Sequence, residues 1–345
     1  LDFEAFKERY EKVPVEEYPN NVREAVPNPV VSVHLLTYNH ADYIREAIES
    51  VLMQEVDFPM EIVLGDDDSS DGTREICIEY AEQYPDLIRL QLHHRENNIH
   101  LHGGPTHLFQ YWHNMLSLHG EYFAILSGDD YWTDPAKLQK QVSFLEKNDD
   151  YALSFHDVLI TDEHRQVLQE SKIPEKNKKD FSQLGLTKGP YLPALSLVGI
   201  NAFSSFPERA LSCLNEDKFT ISLLGRHGKG KYQEDEGLAA YRSQSESTWS
   251  SQTSLYQARA LAHTFKRLGA YHKESAPDIS SYYNHRHIKS KKRVYYISVK
   301  EEKYRNALQS YMYVVRYYAE RDKYRQALSF VWSGLRFFVG HFRNK

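Results

Sequence analysis

The feature that most constrains this chain is an alternation of two hydrophobic periods over its first 130 residues. Residues 30–36 (VVSVHLL) form a continuous apolar, β-branched run, which reads as a buried strand. Ile44, Ala47, Ile48, Val51 and Leu52 then recur at helical spacing. A second strand at 61–64, a second helix carrying Ile76, Ile78, Tyr80 and Ala81, and a third strand at 88–92 repeat the pattern. A β-α-β-α-β order dictates a parallel sheet with crossover helices. Ligand sites on such sheets lie at the carboxyl ends of the strands. A helix around 108–118, a strand at 122–126 and a further strand over 151–160 extend the unit.

With 345 residues, one large domain plus an appendage is expected. Residues 1–29 are polar and bear prolines, and read as a helix followed by an extended lead-in. Residues 171–190 are polar and lysine-rich and read as a loop or lid; 191–250 are mixed. Beyond about 252 the pattern is helical, and Tyr304-Arg305-Asn306-Ala307-Leu308 is echoed by Tyr324-Arg325-Gln326-Ala327-Leu328. Two similar helices packed as a hairpin explain the echo. The expected domains are 1–29, 30–250 and 251–345.

A net charge of −6 gives no global pull toward nucleic acid, which is not an expected partner. Cys77 and Cys213 show neither metal spacing nor a disulfide framework, so a reducing compartment is the default. No secretory signal is visible and no apolar run is long enough to span a bilayer. The expected location is cytoplasmic, peripheral at the inner face of a membrane at most.

Two strand ends carry the chemistry. The strand at 122–126 delivers Ser127-Gly128-Asp129-Asp130. Adjacent carboxylates there are costly unless a cation joins them, and Mg²⁺ typically takes one or two carboxylates together with substrate phosphates. A helix cap is the plainer reading, but it does not require two carboxylates. The second strand ends in Asp66-Asp67-Asp68-Ser69-Ser70-Asp71-Gly72-Thr73. Capping of the next helix accounts for Asp71 and leaves Asp66 and Asp67 over, suited to a nucleobase edge or ribose hydroxyls. No GxGxxG follows the first strand, against a nicotinamide or flavin enzyme, and no GxxxxGK[ST] occurs, against a P-loop enzyme. The 17 histidines show no HExxH, so a zinc site is not expected.

Taken in order, VHLLTYN (33–39), the DDDSSDGT run, Arg95-Glu96-Asn97-Asn98 and GDDYWTDPAKLQKQ from Gly128 resemble the inverting family-two glycosyltransferases. The resemblance implies a GT-A fold, an α/β Rossmann-like and mostly parallel sheet flanked by helices, here with a helical C-terminal extension. It implies that Thr37, Tyr38 and Asn39 line a nucleotide pocket with Tyr38 against the base. Asp67 would hold the base edge, and Asn98 would be a further nucleotide-sugar contact. Asp129 and Asp130 would bind ribose and a metal–diphosphate, Asp130 being the direct ligand to Mn²⁺ or Mg²⁺. Gly128 stands where many relatives carry another Asp.

An inverting transfer also needs a carboxylate to take the acceptor proton. The family pattern of an acidic pair, a short helix, a Gly-Lys turn, a strand and Tyr-Arg maps onto Glu216-Asp217, Gly228-Lys229, Tyr232 and Tyr241-Arg242. Asp217 is therefore the implied base, with Glu216 beside it and Asp235 as runner-up. The His that often follows Tyr-Arg is absent, since Ser243-Gln244 occupies that place. Arg242 is open to two readings, a phosphate contact or an ion pair with an acid. Asp157 and Trp132 are the implied acceptor or sugar contacts.

The resulting expectation is metal-assisted, inverting transfer of a sugar from a nucleotide-sugar donor, UDP-sugar first, to a glycan or lipid-linked acceptor. A nucleotidyltransferase is the alternative enzyme, disfavoured because TYNHADY replaces a glycine-rich phosphate loop. A non-catalytic nucleotide- or glycan-binding module on the same fold is the other alternative. The basic run 285–293 reads as a solvated face. Leu328, Val331, Leu335, Phe338 and Phe342 share one face of the last helix, near Arg336, Arg343 and Lys345. That face suits the catalytic domain, a second subunit as a homodimer, or peripheral contact with an anionic membrane, and packing weighs most.

Overall fold

The computed structural model describes all residues except 102–103, 235–238, 244–251 and 344–345, and the side chains of 342 and 343. It divides into two compact units, one of residues 1–211 and 216–244 and one of 212–215 and 245–345.

The first unit is built on an eight-stranded sheet. In chain order its opening elements are α1 (Phe3–Tyr10), β1 (Glu16–Glu17), α2 (Val22–Ala25), β2 (Val31–Thr37), α3 (Ile44–Leu52), β3 (Met60–Asp66), α4 (Thr73–Gln83) and β4 (Ile88–Leu92). A small ribbon of β5 (His100–Leu101) and β6 (Gly104–Pro105) leads to α5 (Leu108–Leu116). Next come β7 (Tyr122–Ser127), β8 (Tyr131–Trp132), α6 (Lys137–Glu146), β9 (Tyr151–His156), β10 (Leu159–Thr161) and β11 (Val167–Gln169). The unit closes with α7 (Gln183–Thr187), β12 (Val198–Ile200), α8 (Glu216–Leu224), β13 (Lys229–Gln233) and β14 (Ala239–Arg242).

The main sheet has the order β1-β4-β3-β2-β7-β12-β9-β13. Its centre, β4-β3-β2-β7, is parallel throughout, and β12 runs antiparallel between β7 and β9. A second sheet, β11-β10-β14-β8, lies beyond it. The central strands are buried on both faces, which is why they read as apolar runs rather than as alternating ones. Val33, Leu35, Ile62, Leu64, Ile88 and Leu90 pack with Ile44, Ala47, Ile48 and Val51 of α3 and Cys77 and Ala81 of α4.

The amino ends of these strands hold a buried polar network. Arg89 of β4 donates to Glu61 of β3 at 3.1 Å and to Glu17 of β1 at 3.1 Å. Ser32 of β2 donates to Glu61 at 2.6 Å, and the His119 backbone N–H adds a bond at 2.9 Å. Against its burial, the His119 side chain, then Arg89, Ser32 and the His119 N–H, hold the Glu61 carboxyl down at about 2. The opposite, carboxyl ends carry the acidic loops.

The expected strand over 151–160 is two strands in different sheets. Asp157 and Val158 break it, turning β9 of the main sheet into β10 of the second. The expected loop at 171–190 contains the short helix α7. The expected extended lead-in within 1–29 contains the short β1 and α2.

The second unit is helical, with α9 (Ser254–Tyr271), α10 (Pro277–Lys300), α11 (Tyr304–Ala319) and α12 (Tyr324–Arg343). Turns of a few residues join α10 to α11 and α11 to α12, which sets them side by side. Ile288, Tyr295, Val299, Ala307, Val314 and Phe330 form their shared core. Among the described residues, no helix is long and apolar enough to cross a membrane.

Candidate active site

Two loops at the carboxyl ends of β2 and β3 are tied to each other by side chains. Asn39, at φ 53°, donates its backbone N–H to Ser69 Oγ at 2.9 Å and accepts the Ser70 N–H on its own amide oxygen at 3.0 Å. His40 N–H donates to Thr73 Oγ1, and Ala41 N–H to Asp71. Asp71 also accepts the Thr73 N–H at 3.0 Å; the cap position itself is Gly72, one residue on from the Asp71 expected there. Asp66 accepts from Arg74 Nε at 2.6 Å and from Ser69 N–H on one oxygen, which anchors this loop, while its other oxygen is buried with no hydrogen-bond partner. Asn39 thus reaches the facing loop with both backbone and side chain.

Asp67 projects from the same strand end. It accepts from Arg95 Nη1 and from Asn98 Nδ2, each at 3.0 Å. Its other carboxylate oxygen is buried with no hydrogen-bond partner. Burial pushes its pKa up to about 6, against the downward pull of Asn98 and Arg95. The Arg95 guanidinium also lies over the Tyr38 ring at 4.0 Å. A flat ring, a flat cation and an unsatisfied carboxylate oxygen side by side suit a planar heterocycle with an N–H edge. Arg95 received no role from the sequence.

Beneath them Thr37 is buried, and its hydroxyl is 3.2 Å from His40 Nδ1. His40 Nε2 is 3.9 Å from Asp129. Gly128 lies against this pair: a Cβ there would stand 2.5 Å from Thr37 Oγ1 and 3.0 Å from His40 Nδ1. Glycine at this position follows from the lack of room for a side chain. A second glycine, Gly65, lets α5 cross β3, since a Cβ would stand 2.3 Å from Asn114 Nδ2.

Asp129 accepts a short hydrogen bond from Ser127 Oγ. Asp130 is buried and accepts the Arg242 backbone N–H at 2.9 Å, a bond made where β14 pairs with β8. Burial, and then the Asp129 charge, push the Asp130 carboxyl well above the usual range. The Arg242 side chain turns the other way. It forms a short ion pair with Glu46 and sits between the Tyr43 and Tyr131 rings, at 4.6 and 5.0 Å. Of its two expected readings, the structure therefore displays the ion pair. Lys172, from the 171–190 segment, places its ammonium over the Tyr241 ring at 3.1 Å. Burial lowers its pKa to about 8, and the Asp130 charge acts the other way.

Glu216 and Asp217 occupy the first turn of α8, where the helix dipole favours carboxylates. Glu216 pairs with His107 at 3.1 Å. Desolvation lowers the His107 pKa, but Glu216, then Asp67 and Asp217, raise it overall. Burial raises the Asp217 carboxyl, and Glu216 adds to this against Lys218. The Tyr191 phenol is raised first by desolvation, then by Asp217, Tyr241, Asp130 and Asp157. Through His107 and Tyr191, the β3 acid, the β7 acids and the α8 acids share one electrostatic neighbourhood. Asp235 lies outside the described residues.

Two expected sugar contacts are occupied elsewhere. Trp132 is buried, donates its indole N–H to Leu195 O at 3.0 Å and packs under Lys137. Asp157 accepts the N–H groups of Val158, Lys172 and Ile173, the Ser171 hydroxyl and the Lys178 ammonium. It fastens the start of the 171–190 segment to the break between β9 and β10.

Among the described residues, no three His, Cys, Asp or Glu side chains gather as a ready metal cage. A divalent ion fits Asp129 and Asp130 only if a ligand brings further oxygens, as a diphosphate does. The Asp130 carboxyl supports that fit, because a buried acid beside a second carboxylate gains most from an added cation.

The sequence model of Glycosyl transferase family 2 matches residues 32–194. Over 169 residues the chain is 34% identical to the uncharacterized protein Rv1520 of Mycobacterium tuberculosis, covering 49% of this chain and 46% of that one. Over 135 residues it is 36% identical to the putative glycosyltransferase EpsE of Bacillus subtilis, covering 39% of this chain and 45% of that one. The match thus spans about half the length of these curated relatives. In fold it is similar to S. aureus TarS 1–349 in complex with UDP-GlcNAc, with TM-score 0.59 and 17% identity over 83% of this chain and 80% of that one. It is also similar to the mannosyltransferase PcManGT from Pyrobaculum calidifontis in complex with GDP-Man and Mn²⁺, with TM-score 0.50 and 15% identity over 98% and 90%. The acidic strand ends, their order along the chain and these likenesses agree: residues 32–194 match the model of Glycosyl transferase family 2, and they lie on a GT-A-type fold.

Proposed function

We propose that the chain transfers a sugar from a nucleotide-sugar donor, UDP-sugar first, to a hydroxyl of a glycan or lipid-linked acceptor, with inversion at the anomeric carbon. The observation that carries this reading is the pair of acidic strand ends: Asp67 after β3, with a buried unpaired oxygen beside Arg95 and Tyr38, and the adjacent Asp129 and Asp130 after β7, the latter buried. Each strand end suits one part of such a donor. Asp67, steadied by Asn98 and Arg95, takes the base edge, with Tyr38 against the base plane. Thr37 and Asn39 shape the floor and wall of that pocket. Asp129 would meet the ribose side, and Asp130 would hold Mn²⁺ or Mg²⁺ where the donor brings its diphosphate oxygens.

When bound, the divalent cation supplies charge to the departing diphosphate. The remaining work falls to side chains. Lys172, held over the Tyr241 ring, adds a positive charge felt by Asp130. Glu216 is engaged with His107, which leaves Asp217 to accept the acceptor's proton. Its raised pKa makes it a better base near neutrality than an exposed carboxylate. In that step the acceptor oxygen bonds to the anomeric carbon, its proton passes to Asp217, and the bond to the diphosphate oxygen breaks. The backbone N–H of Arg242 orients Asp130 while its guanidinium stays paired with Glu46.

The test compares Asp217→Asn and Asp235→Asn for donor binding and turnover. Asp217→Asn should bind nucleotide as well as the parent and lose turnover by about 10² or more. Retained turnover there, with loss in Asp235→Asn, would reverse the assignment. Binding but no turnover in the parent across donors and acceptors would favour the binding-module alternative.

A further inference from the structure

The echoed segments of α11 and α12 point the same way. In each Tyr-Arg-x-Ala-Leu the alanine is buried, Ala307 at 2% and Ala327 at 7% exposure. In each the leucine is out, Leu308 at 62% and Leu328 at 59%. The exposed apolar positions continue at helical spacing, to Met312 on α11 and to Trp332, Leu335 and Val339 on α12. Tyr304 and Phe338 meet edge to face at 6.0 Å, which joins the two stripes into one surface. The opposite face of α12 is already used, with Phe330 in the core and Gly334 O accepting from Tyr295. So this outer face is not the one that holds the helices together, and contiguous apolar patches of this kind mark a docking site.

Charge selects the occupant. Residues 252–345 hold 19 Lys and Arg against 6 Asp and Glu, a net of +13, while residues 1–251 hold 23 against 42, a net of −19. The exposed Arg305, Arg325 and Arg336 border the apolar stripes. A cleft of about 430 Å³ between the start of α10 and the α11–α12 turn, lined by Lys273, Ser280, Asn284, Tyr317, Arg321 and Lys323 among others, has room for an anionic headgroup. Two copies meeting through this same face would bring like charge against like charge. A bilayer with anionic lipids would meet both the apolar stripe and its cationic border. We propose that the exposed face of α11 and α12 lies on the surface of an anionic membrane, with Leu308, Leu328 and Trp332 inserted at the headgroup–acyl boundary and the surrounding arginines and lysines on lipid phosphates. The helices lie on the bilayer rather than across it, because the arginines interrupt every apolar stretch.

The test is flotation of the full chain with phosphatidylcholine vesicles, with and without about 30% phosphatidylglycerol, at low and high salt. Binding should require phosphatidylglycerol and weaken as salt is raised. Leu328→Ser with Trp332→Ser should reduce the partition coefficient at least about tenfold. Trp332→Phe should keep binding and lose the vesicle-induced blue shift of tryptophan emission. Equal binding to neutral vesicles, or no binding together with a dimer that Trp332→Ser dissociates, would overturn the proposal. Nucleotide binding measured on the same preparations separates this outcome from any failure of the proposed transferase reaction.

Discussion

Asp157→Ala separates a fastening role from a sugar-contact role. The Asp157 carboxylate accepts backbone N–H groups of Val158 at 2.8 Å, Ile173 at 2.9 Å and Lys172 at 3.0 Å, the Ser171 hydroxyl at 2.5 Å and the Lys178 ammonium at 3.1 Å. Removing it leaves the Val158 and Ile173 donors buried and unpaired, at roughly 1–3 kcal/mol each. The 171–178 segment can relieve part of this by opening to water, so a net loss of about 2–4 kcal/mol is expected. Urea denaturation of the parent and the variant reads it directly. Limited proteolysis should find new cleavage between 171 and 190. The effect also has a pH signature. Burial alone would raise the Asp157 carboxyl, but Ser171, Ile173, Val158 and Lys178 hold it below its ordinary value. Its stabilisation is therefore present above the unfolded carboxylate pKa and lost as pH falls through the lower folded one. The parent–variant difference should shrink in acid. Unchanged stability with lost turnover would refute this reasoning and return Asp157 to the sugar contact that the sequence suggested.

Three further outcomes are expected. Asp67, raised to about 6 mainly by burial, should lose its charge as pH falls through that value, so nucleotide affinity measured by titration should drop below about pH 6, and Asp67→Asn should abolish the inflection. Glu61→Gln leaves Glu17 as the remaining charged partner of buried Arg89 and should cost about 1.5–3 kcal/mol in urea denaturation; because the Glu61 carboxyl is held at about 2, the loss should fade as pH drops below the ordinary glutamate range toward that value. Gly128→Ala should push on Thr37 and His40, costing about 1–3 kcal/mol in thermal melts and weakening nucleotide binding, whereas an unchanged melt and affinity would show that the pocket floor yields freely.

The parallel sheet was legible because strands buried on both faces are mostly apolar, as 30–36 and 61–64 are apart from Ser32, His34 and Glu61. The acidic strand ends were legible because carboxylates crowded beside apolar runs require a reason. The break at Asp157 was not, since 151–160 keeps its apolar character across a change of sheet. The resemblance implies a sugar contact at Trp132; the structure instead ties it to Leu195 and Lys137, the first more than sixty residues away. Arg95, His40, His107 and Lys172 gained roles only when folding set them beside Asp67, Asp129, Glu216 and Asp130. Single charged or histidine residues in loops carry no periodicity to reveal such partners. The outer face of the last helix showed in its spacing, with Leu328 and Leu335 on the exposed side. Val331 of the same expected face lies half-buried, and Trp332 takes its place outside.

The most direct test of metal-dependent nucleotide-sugar use is calorimetric titration of the chain with uridine and guanosine diphosphates, in Mn²⁺ and in EDTA. Binding of one nucleotide that needs the metal and is lost in Asp130→Ala is the expected result. No binding of either nucleotide by well-folded protein, or binding indifferent to both EDTA and Asp130→Ala, would contradict it.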